Sequence, residues 1–295
     1  MRVGNREVRI THREKVLFPR DGITKGDLID YYHRVSGVML PHLRGRPVSM
    51  QRFPDGIEEH GFYHKDAPYY FPDWIRRVPL EKQGGGVVDY VICDDAATLV
   101  YLANQNCITP HVFLSRTDRI DAPDRLIFDL DPTGDDFSKV IEGAKALREE
   151  LAAHGLIPFV MTTGSRGLHV TAPLDRTADF DEARAFAQGI ARTLVERHPD
   201  RYTLEQRISK RGKLLFLDTL RNSYAATAVP PYAVRPKPGA SVATPLDWAE
   251  LDDPRLTPQR YTLRNLFERL DARGDPWAEI DRHQGAIRSR RRKAA

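Results

Sequence analysis

The chain has 295 residues, of which 41% are hydrophobic, which is enough for one large domain or two small ones. A mean hydropathy of −0.50 and the lack of a long apolar run exclude a membrane-spanning segment, and the polar N-terminus excludes a signal peptide. The net charge of +4 is weak support for nucleic-acid binding, because the last eight residues hold five basic ones and the rest of the chain carries one net negative charge.

The cysteines and the chain composition set the expected organisation. Cys93 and Cys107 fit no CxxC or zinc-binding spacing, which indicates a reduced, cytoplasmic protein. Residues 286–295 are predicted to be a basic disordered tail, which either adds non-specific phosphate affinity or only improves solubility. Residues 1–285 are predicted to form a single domain, with an N-terminal subdomain of about 1–120 and a second part of about 121–285.

The N-terminal region mixes helices and strands. "TKGDLIDYYHRVSGVML" predicts a helix that begins after Thr24, which is a suitable N-cap because Asp27 follows three residues later. "VVDYVI" (87–92) predicts a strand, and "AATLVYLANQN" (96–106) predicts a second helix. We therefore expect an N-terminal α/β subdomain.

The second part, about residues 121–285, has a more definite pattern. Its predicted elements are, in chain order, the strand "RLIFDL" (125–130), the helix "FSKVIEGAKALREELAAHG" (137–155), the strands "IPFVMTT" (157–163) and "GLHVTAP" (167–173), the helix "DFDEARAFAQGIARTLVERH" (179–198) and the strand "KLLFLDTL" (213–220). The order β-α-β-β-α-β is that of a split βαβ, or ferredoxin-like, sheet. The predicted fold class is α+β, with the N-terminal subdomain packed on this sheet.

This topology brings distant acidic residues together. The first strand is central, with the third and fourth strands on either side of it. Because side chains alternate along a strand, Asp129 and Asp131 share one face. Asp218 ends the neighbouring fourth strand, and His169 lies on the third.

Two chemistries use an apolar strand that ends in "DLD". A buried Asp129 with a like charge at Asp131 requires a proton or a cation, and three carboxylates suit Mg²⁺ or Mn²⁺. A phosphatase of the DxDx[TV] type would instead use Asp129 as its nucleophile. That class needs an acidic pair after a later strand, where this sequence offers only Asp218. Metal binding is thus favoured, and the phosphatase stays as an alternative.

A glycine-punctuated hairpin, "TTGSRGLHV", lies between the strands that carry these acids. It presents Thr163, Ser165, Arg166 and His169. Backbone amides, hydroxyls, a guanidinium and an imidazole are groups that bind a triphosphate. The hairpin therefore favours a nucleotide-binding site beside the predicted metal ligands.

Taken together, these motifs resemble the polymerase domain of bacterial ligase D, in the archaeo-eukaryotic primase superfamily. The resemblance covers roughly residues 5–280 and is carried by "DLD" (129–131), "GSRGLH" (164–169) and "LFLDTLRNSYAATAVPPYAVRPKPGASVATPLDW" (215–248). It implies a primase-polymerase core that holds two Mn²⁺ or Mg²⁺ ions and uses NTP or dNTP substrates.

The resemblance also implies roles for individual residues. The implied metal-binding and catalytic residues are Asp129, Asp131 and Asp218. The nucleotide-binding residues, including Ser165 from the hairpin, are His111, Thr163, Ser165, Arg166, His169, Arg211 and Arg235. The DNA-binding residues are Lys15 and Lys25, for a 5′-phosphate, and Phe62 and Tyr63, for template bases. Tyr63 replaces the phenylalanine usual in the family, and "NQNCITPH" before His111 departs from the family pattern.

The function implied by the resemblance is template-directed nucleotidyl transfer. It would extend primer ends or fill short gaps, prefer ribonucleotides, and act in non-homologous end joining at the bacterial nucleoid, with Ku as a partner. The sequence has no KxDG-type ligase motif, so an ATP-dependent DNA ligase partner is expected to be a separate chain. The alternatives are a gap-filling polymerase of excision repair, the phosphatase, and a non-catalytic DNA-end-binding protein.

Overall fold

The computed structural model describes residues 1–81, 84–134 and 136–287, so most of the predicted basic tail lies outside the described residues. The α-helices are α1 (Lys25–Leu43), α2 (Ala96–Asn104), α3 (Phe137–Ala153), α4 (Phe180–Arg197) and α5 (Leu266–Arg273). The strands are β1 (Arg2–Val3), β2 (Arg6–Glu7), β3 (Val16–Phe18), β4 (Ile23–Thr24), β5 (Pro47–Arg52), β6 (Phe62–His64), β7 (Arg77–Glu81), β8 (Val87–Ile92), β9 (Cys107–Phe113), β10 (Ser115–Arg116), β11 (Arg119–Pro123), β12 (Arg125–Asp131), β13 (Phe159–Thr162), β14 (Leu168–Pro173), β15 (Tyr202–Thr203), β16 (Leu215–Asp218), β17 (Thr227–Ala228) and β18 (Thr244–Leu246). Short 3₁₀ helices lie at Pro19–Asp21, Ile208–Lys210, Leu220–Asn222, Trp248–Asp252 and Ile280–His283.

Helices α1 to α4 begin where the sequence predicts, whereas α5 has no counterpart among the predicted elements. Thr24 and Asp27 form a reciprocal capping box at the start of α1, and Asp179 and Glu182 form another at α4. Each box satisfies two backbone amides that a helix start leaves unpaired. Helix α3 is followed by Gly155, whose φ of 78° is the left-handed conformation that glycine adopts without strain.

The catalytic sheet has the predicted split βαβ arrangement, and the α+β fold class is confirmed. Its strand order is β15-β16-β12-β14-β13-β18, so the first strand of the motif, β12, lies between β14 and β16. Leu126, Phe128 and Leu130 are fully buried in a core with α3 and α4, which cover one face of the sheet. The alternate side chains of β12, including both aspartates, point to the other face.

A second sheet covers part of that other face. Its order is β17-β9-β5-β8-β7, with β6 paired to the free end of β5. Helices α1 and α2 pack together on a core that includes Leu28, Tyr32 and Leu99. Leu114, Ile127 and Ala228 form a small cluster between the sheets.

Residues after position 228 complete this core of α1, α2 and the second sheet, which we call the first core. Residues between 229 and 280, such as Tyr232 and Trp277, pack with residues of α1 and β9. Hydrogen bonds support this packing: Tyr31 donates to the carbonyl of Tyr232 at 2.7 Å, and Thr109 donates to the carbonyl of Val234 at 2.6 Å. The division near residue 120 stays a prediction, but the first core draws on both sides of it.

Two sequence-level expectations concern bulk properties. Cys93 and Cys107 are both buried and free. Within residues 1–81, 84–134 and 136–287, no helix has the length and apolar character that crossing a membrane requires.

Candidate active site

Strand pairing places the acidic residues side by side. In the register of the sheet, Asp129 lies directly opposite Asp218 on one neighbouring strand and opposite His169 on the other. Directly paired residues of antiparallel strands project from the same face. The Nε2 atom of His169 is 3.5 Å from the carboxylate of Asp129. The convergence of these residues, predicted from topology, is what the structure shows.

Asp131 is held by two arginines at the end of the same strand. Arg166 donates to both of its carboxylate oxygens, at 3.1 and 3.0 Å, and Arg211 lies 4.0 Å away. The guanidinium of Arg211 stacks 3.9 Å from the ring centre of Phe216 and donates to the carbonyls of Glu205 and Gln206. Arg211 is therefore a fixed positive charge, whereas Arg166 is exposed and able to move.

The pKa values of the three carboxylates are shifted in different directions. Burial disfavours the ionised form of Asp129, but His169 and the charges of Arg221 and Arg235 outweigh it and lower the pKa to about 2. Burial raises the pKa of Asp131 and of Asp218, and the negative charge of Asp129 adds to both shifts. Such mutual repulsion is relieved by a cation.

The hairpin that follows β13 is organised by one hydroxyl. Thr163 Oγ1 donates to the carbonyl of Gly167 at 3.1 Å and accepts from the amides of Ser165 and Gly167 at 3.2 and 3.3 Å. Arg235 donates to the carbonyl of Thr163 at 3.0 Å. The predicted serine and arginine are thus presented by a turn that is fixed from both sides.

Most of the predicted residues line one cavity of about 210 Å³. Its lining is His111, Asp129, Asp131, Thr163, Ser165, Arg166, Gly167, His169, Arg221, Thr227, Val229 and Arg235. Asp218 and Arg211 do not line this cavity but adjoin it through Asp129 and Asp131. The structure therefore brings together the residues predicted for metal and nucleotide binding.

His111 reaches this cavity from β9 of the second sheet. It is buried, and its Nε2 atom lies 3.3 Å from the side-chain oxygen of Gln51 on β5. Burial, then the charges of Arg235 and Arg221, place the pKa of His111 well below the usual range. A neutral imidazole at this position can both donate and accept a hydrogen bond.

Sequence reasoning missed Arg221 and Gln51. Arg221 lines the cavity, with Nη2 3.4 Å from Asp129. It lies three residues after Asp218 in the longest motif, and that proximity is the one signal that could have identified it. Gln51 carries no signal in the sequence, because only the pairing of β5 with β9 brings it to His111.

The two lysines predicted to bind a 5′-phosphate are neighbours outside this cavity. The amide of Lys25 donates to the carbonyl of Lys15 at 2.8 Å, next to the paired strands β3 and β4. Lys15 pairs with Asp55 at 3.0 Å, whereas Lys25 is only 3% exposed and donates to Thr11 at 3.1 Å. Burial, followed by the charge of Lys15, lowers the pKa of Lys25.

Phe62 and Tyr63 lie on β6, the short strand that pairs with the end of β5. Both are exposed, by 39% and 56%, so neither is a core aromatic. Alternation along β6 directs them to opposite faces. The ring centre of Tyr63 is 5.4 Å from that of His111, towards the cavity, whereas Phe62 packs against His64 at 5.9 Å.

The three carboxylates of the site are turned to neighbouring cations and amides and not to a common centre. Within the residues that the structure describes, no three His, Cys, Asp or Glu side chains lie close enough to hold an ion. Asp131 is turned to Arg166, Asp129 to His169 and Arg221, and Asp218 accepts the amide of Leu220 at 2.7 Å. The donor chemistry nevertheless fits Mg²⁺ or Mn²⁺, since all three are carboxylates at a site where their charges repel.

A carboxylate group beside a cavity lined by arginine and hydroxyl groups suits the transfer of a nucleotide from its triphosphate, and the chain is a nucleotidyltransferase of the polymerase class. The family model described as "LigD, primase-polymerase domain" matches residues 24–277. The chain belongs to the LigD primase-polymerase domain family, as the resemblance of its motifs predicts.

Individual relatives agree with this assignment. The chain is 36% identical, over 90% of its length, to the multifunctional non-homologous end joining protein LigD of Mycobacterium bovis, and 30% identical, over 94% of its length, to the bifunctional LigD of Bacillus subtilis. It spans 37% and 44% of these two proteins, respectively. The solved polymerase domain of Mycobacterium tuberculosis ligase D in complex with DNA matches with a TM-score of 0.88 and 33% identity, over 95% of this chain and 99% of that one.

Proposed function

We propose that this protein extends primer ends and fills short gaps in DNA by template-directed nucleotidyl transfer. The observation that carries the proposal is the direct pairing of Asp129 with Asp218 and His169 at the wall of a cavity that also contains three arginines. In this proposal the acidic groups help to activate the reacting 3′-hydroxyl, and the arginines bind the phosphates of the incoming nucleotide.

Asp129, Asp131 and Asp218 are the residues that would hold two Mg²⁺ or Mn²⁺ ions. Bound divalent ions supply two effects, a lower pKa for an attacking hydroxyl and neutralisation of charge on the leaving pyrophosphate. Asp129, whose pKa is about 2, is ionised at neutral pH and ready to bind a cation. Asp131 becomes available when Arg166 leaves it for the triphosphate, which carries a larger negative charge.

The residues of the chain position and charge-balance the nucleotide. Arg166, Arg235 and Arg221 line the cavity and can donate hydrogen bonds to the phosphates of the nucleotide. Arg211 adds a fixed positive charge beside Asp131. His111 supplies a neutral donor or acceptor. Rate enhancement then comes mainly from positioning and preorganised charge, because phosphoryl transfer needs little covalent help from protein groups.

The same proposal assigns DNA contacts outside the cavity. Tyr63 contacts His111 at the cavity and offers its exposed ring to a template base. Lys15 and Lys25 lie together as a receptor for a 5′-phosphate across a gap. The solved relative in complex with DNA supports this reading.

The cellular role we propose is non-homologous end joining in the bacterial cytoplasm, at the nucleoid. The curated relatives are end-joining proteins, and this chain matches only part of each. Ku and an ATP-dependent DNA ligase are the expected partners, with ribonucleotides as the preferred substrates and Mn²⁺ as the preferred ion. Gap filling in excision repair is the alternative within the same activity.

The activity is tested by removing one carboxylate. We expect Asp131→Ala to abolish extension of a primer in a gapped duplex with Mn²⁺ and each nucleotide, because a metal ligand is lost. Binding of the same DNA, measured by fluorescence anisotropy, should stay within about twofold, because Asp131 makes no predicted DNA contact. Glu149→Gln, which changes an exposed carboxylate on α3, is the matched control.

Three outcomes separate the candidate functions. Full extension by Asp131→Ala would contradict the proposed mechanism. Binding without extension by the unmutated protein would identify a DNA-end-binding protein. Release of phosphate from a small phosphoester in the absence of DNA would identify a phosphatase.

The 5′-phosphate contact is tested by a double variant, Lys15→Gln with Lys25→Met. Methionine is chosen because Lys25 is buried and a charged replacement would disturb the start of α1. We expect the unmutated protein to fill a 5′-phosphorylated gap about tenfold faster than a 5′-hydroxyl gap, in line with charge-assisted contacts to one phosphate. The double variant should lose this difference.

The control for this test is Arg20→Gln, a nearby exposed cation that pairs with Glu58. It should keep the preference for the phosphorylated gap. Equal filling of both gaps by the unmutated protein would show that the lysines do not bind the 5′-phosphate.

A further inference from the structure

The exposed aromatic side chains are concentrated in one short stretch. Among the described residues, the four most exposed aromatics are Phe62, Tyr63, Tyr69 and Tyr70. Tyr69 is 93% exposed and Tyr70 is 50% exposed. Tyr63 contacts His111 of the cavity lining, but the two tyrosines at 69 and 70 have no part in the site described above.

Arg52 connects these tyrosines to Phe62. Its Nη1 atom donates to the hydroxyl of Tyr70 at 3.3 Å and contacts Nδ1 of His64 at 3.1 Å, and its guanidinium lies 5.8 Å from the ring centre of Phe62. Tyr69 packs edge to face with Tyr70, with ring centres 5.6 Å apart. We call this continuous surface of Phe62, Arg52, Tyr70 and Tyr69 the aromatic platform.

The aromatic platform is firmly supported from below. Tyr70 packs at 5.4 Å on Phe71, which is 2% exposed and itself packs on Tyr101 of α2. Arg52 is 9% exposed and donates to the carbonyl of Gln105 at 2.9 Å. The ring of Tyr70 therefore projects from an ordered base, and little of its side-chain freedom is lost when a ligand binds to it.

The charge of the aromatic platform favours an anionic ligand. Within the described part of the chain, the buried Arg52 guanidinium contacts the neutral groups of Gln105, Tyr70 and His64 and pairs with no carboxylate. Lys65 is exposed immediately after β6, and the neighbouring acid, Asp66, is engaged by the amide of Asp89 at 2.9 Å. Flat aromatic faces beside unpaired cations are the features that bind unpaired bases and their phosphates.

The position of the aromatic platform relative to the cavity identifies the strand that it would hold. Tyr63 and Phe62 are consecutive on β6 and point to its two faces, the first towards the cavity and the second towards Arg52. A single strand that leaves the cavity over this edge therefore passes from Tyr63 to Phe62 and then to Tyr70 and Tyr69.

We propose that the aromatic platform binds the single-stranded template ahead of the templating base, with Tyr69 and Tyr70 as stacking surfaces for successive unpaired bases. The proposal rests on the proposed function, because it takes the templating base to lie at Tyr63, beside the cavity. It adds a second binding region for the same template strand. The expected ligand is single-stranded nucleic acid of any sequence, since every base has an aromatic face.

The test uses Tyr69, whose side chain is exposed and can be replaced without disturbing the core. Fluorescein-labelled primer–template duplexes with 5′ template overhangs of one and twelve nucleotides serve as probes, with anisotropy as the readout. We expect Tyr69→Ser to weaken binding of the twelve-nucleotide overhang by about 5- to 150-fold, the range for loss of one stacked base. Binding of the one-nucleotide overhang, and addition of a single nucleotide to it, should not change.

Two further variants make the result specific. Tyr69→Phe keeps the aromatic face and should bind both probes like the unmutated protein. Ile157→Ser replaces another exposed apolar side chain, 50% accessible, which precedes β13 and lies outside the aromatic platform, and should also bind normally.

Three outcomes overturn the inference, and a fourth overturns only the proposed function. Unchanged affinity of Tyr69→Ser for the long overhang would exclude stacking, and an equal loss with both overhangs would assign Tyr69 to the duplex. Loss of binding in Tyr69→Phe would indicate a hydroxyl contact instead. If no variant and no unmutated protein extends a primer while the length-dependent loss persists, the polymerase proposal fails and the aromatic platform remains a single-strand binding surface.

Discussion

His42, near the end of α1, shows how strongly the interior of this protein affects a single titratable group. The side chain is 5% exposed and packs against Tyr232 and Trp277, with Asp275 4.0 Å from Nε2. Burial, followed by the positive charges of Arg125 and Arg46, lowers the pKa of His42 to about 3. The folded protein therefore keeps this imidazole neutral.

We expect this residue to weaken the fold in acid. An unfolded histidine has a pKa near 6.5, so below that pH the unfolded chain binds a proton that the folded chain rejects. Stability is then lost progressively as the pH falls from about 6.5 to about 3, and the loss between pH 7 and pH 5 is about 2 kcal/mol. Urea unfolding at both pH values, compared with His42→Gln, measures this contribution.

Between pH 7 and pH 5, His42→Gln should lose about 2 kcal/mol less of its free energy of unfolding than the unmutated protein. His33→Gln, at an exposed position of the same helix, is the matched control and should behave like the unmutated protein. An identical pH dependence in His42→Gln and the unmutated protein would show that His42 is protonated in the fold.

The cavity residues could largely be predicted from the sequence, and the exceptions have a clear cause. Asp129, Asp131 and His169 lie in strands whose order is encoded by alternating helix and strand patterns, so their convergence follows from topology. Arg221 and Gln51 could not be predicted in this way. Their positions depend on a 3₁₀ turn and on the pairing between strands of another sheet, which no local pattern specifies.

At the scale of elements, the hairpin between β13 and β14 is constrained by its glycines. A Cβ atom on Gly167 would overlap the carbonyl oxygen of Leu130 in the central strand β12. A Cβ atom on Gly164 would crowd Arg235 and the backbone of Val242, and its φ of 63° is itself unfavourable for other residues. The hairpin can thus approach the catalytic strand closely only with glycine at these positions.

We expect Gly167→Ala to destabilise the protein by about 3 kcal/mol or more, because the hairpin must move away from β12 to accept the methyl group. Gly189→Ala is the matched control. Gly189 lies within α4, and open space surrounds the position that a methyl group would take there, so alanine should stabilise the helix by up to about 1 kcal/mol. Thermal and urea unfolding of both variants measure these changes in stability. If Gly167→Ala were as stable as the unmutated protein, the close approach of the hairpin to β12 would be contradicted.

The elements themselves were predictable to different degrees. Helices α1 and α4 have capping boxes, and β12 is an apolar run, so local sequence is sufficient to identify them. The short edge strands β15, β17 and β18 have two or three residues each and no periodicity to detect. They form because a neighbouring strand offers unpaired backbone groups.

At the scale of the whole molecule, a buried ion pair joins the two halves of the protein, which are the part that contains the second sheet and the part that contains the catalytic sheet. Arg46 precedes β5 of the second sheet and Asp124 precedes the catalytic strand β12, and they are 2% and 1% exposed with a separation of 2.7 Å. Arg116 also binds Asp124, at 2.8 Å, and Arg125 contacts Asp281. Although burial opposes ionisation, Arg46 and Arg125 hold the pKa of Asp124 well below its usual range.

We expect Asp124→Asn to cost about 3–5 kcal/mol, because the change leaves buried guanidinium groups without their counter-charge. The free energy of unfolding in urea measures this loss. Asp121→Asn, at an exposed position of β11, is the control and should have an effect within about 0.5 kcal/mol. A loss below about 1 kcal/mol in Asp124→Asn would show that the pair does not connect the halves energetically.

The interleaved first core has a consequence for synthesis on the ribosome. Segments near residues 31 and 109 find their hydrogen-bond partners at Tyr232 and Val234, and Trp277 and Ile280 fill the same core. The nascent N-terminal third therefore keeps apolar surface uncovered until residues up to about 280 have been translated. Folding of this enzyme is in that sense a late event, in which the catalytic sheet and its neighbour are completed together.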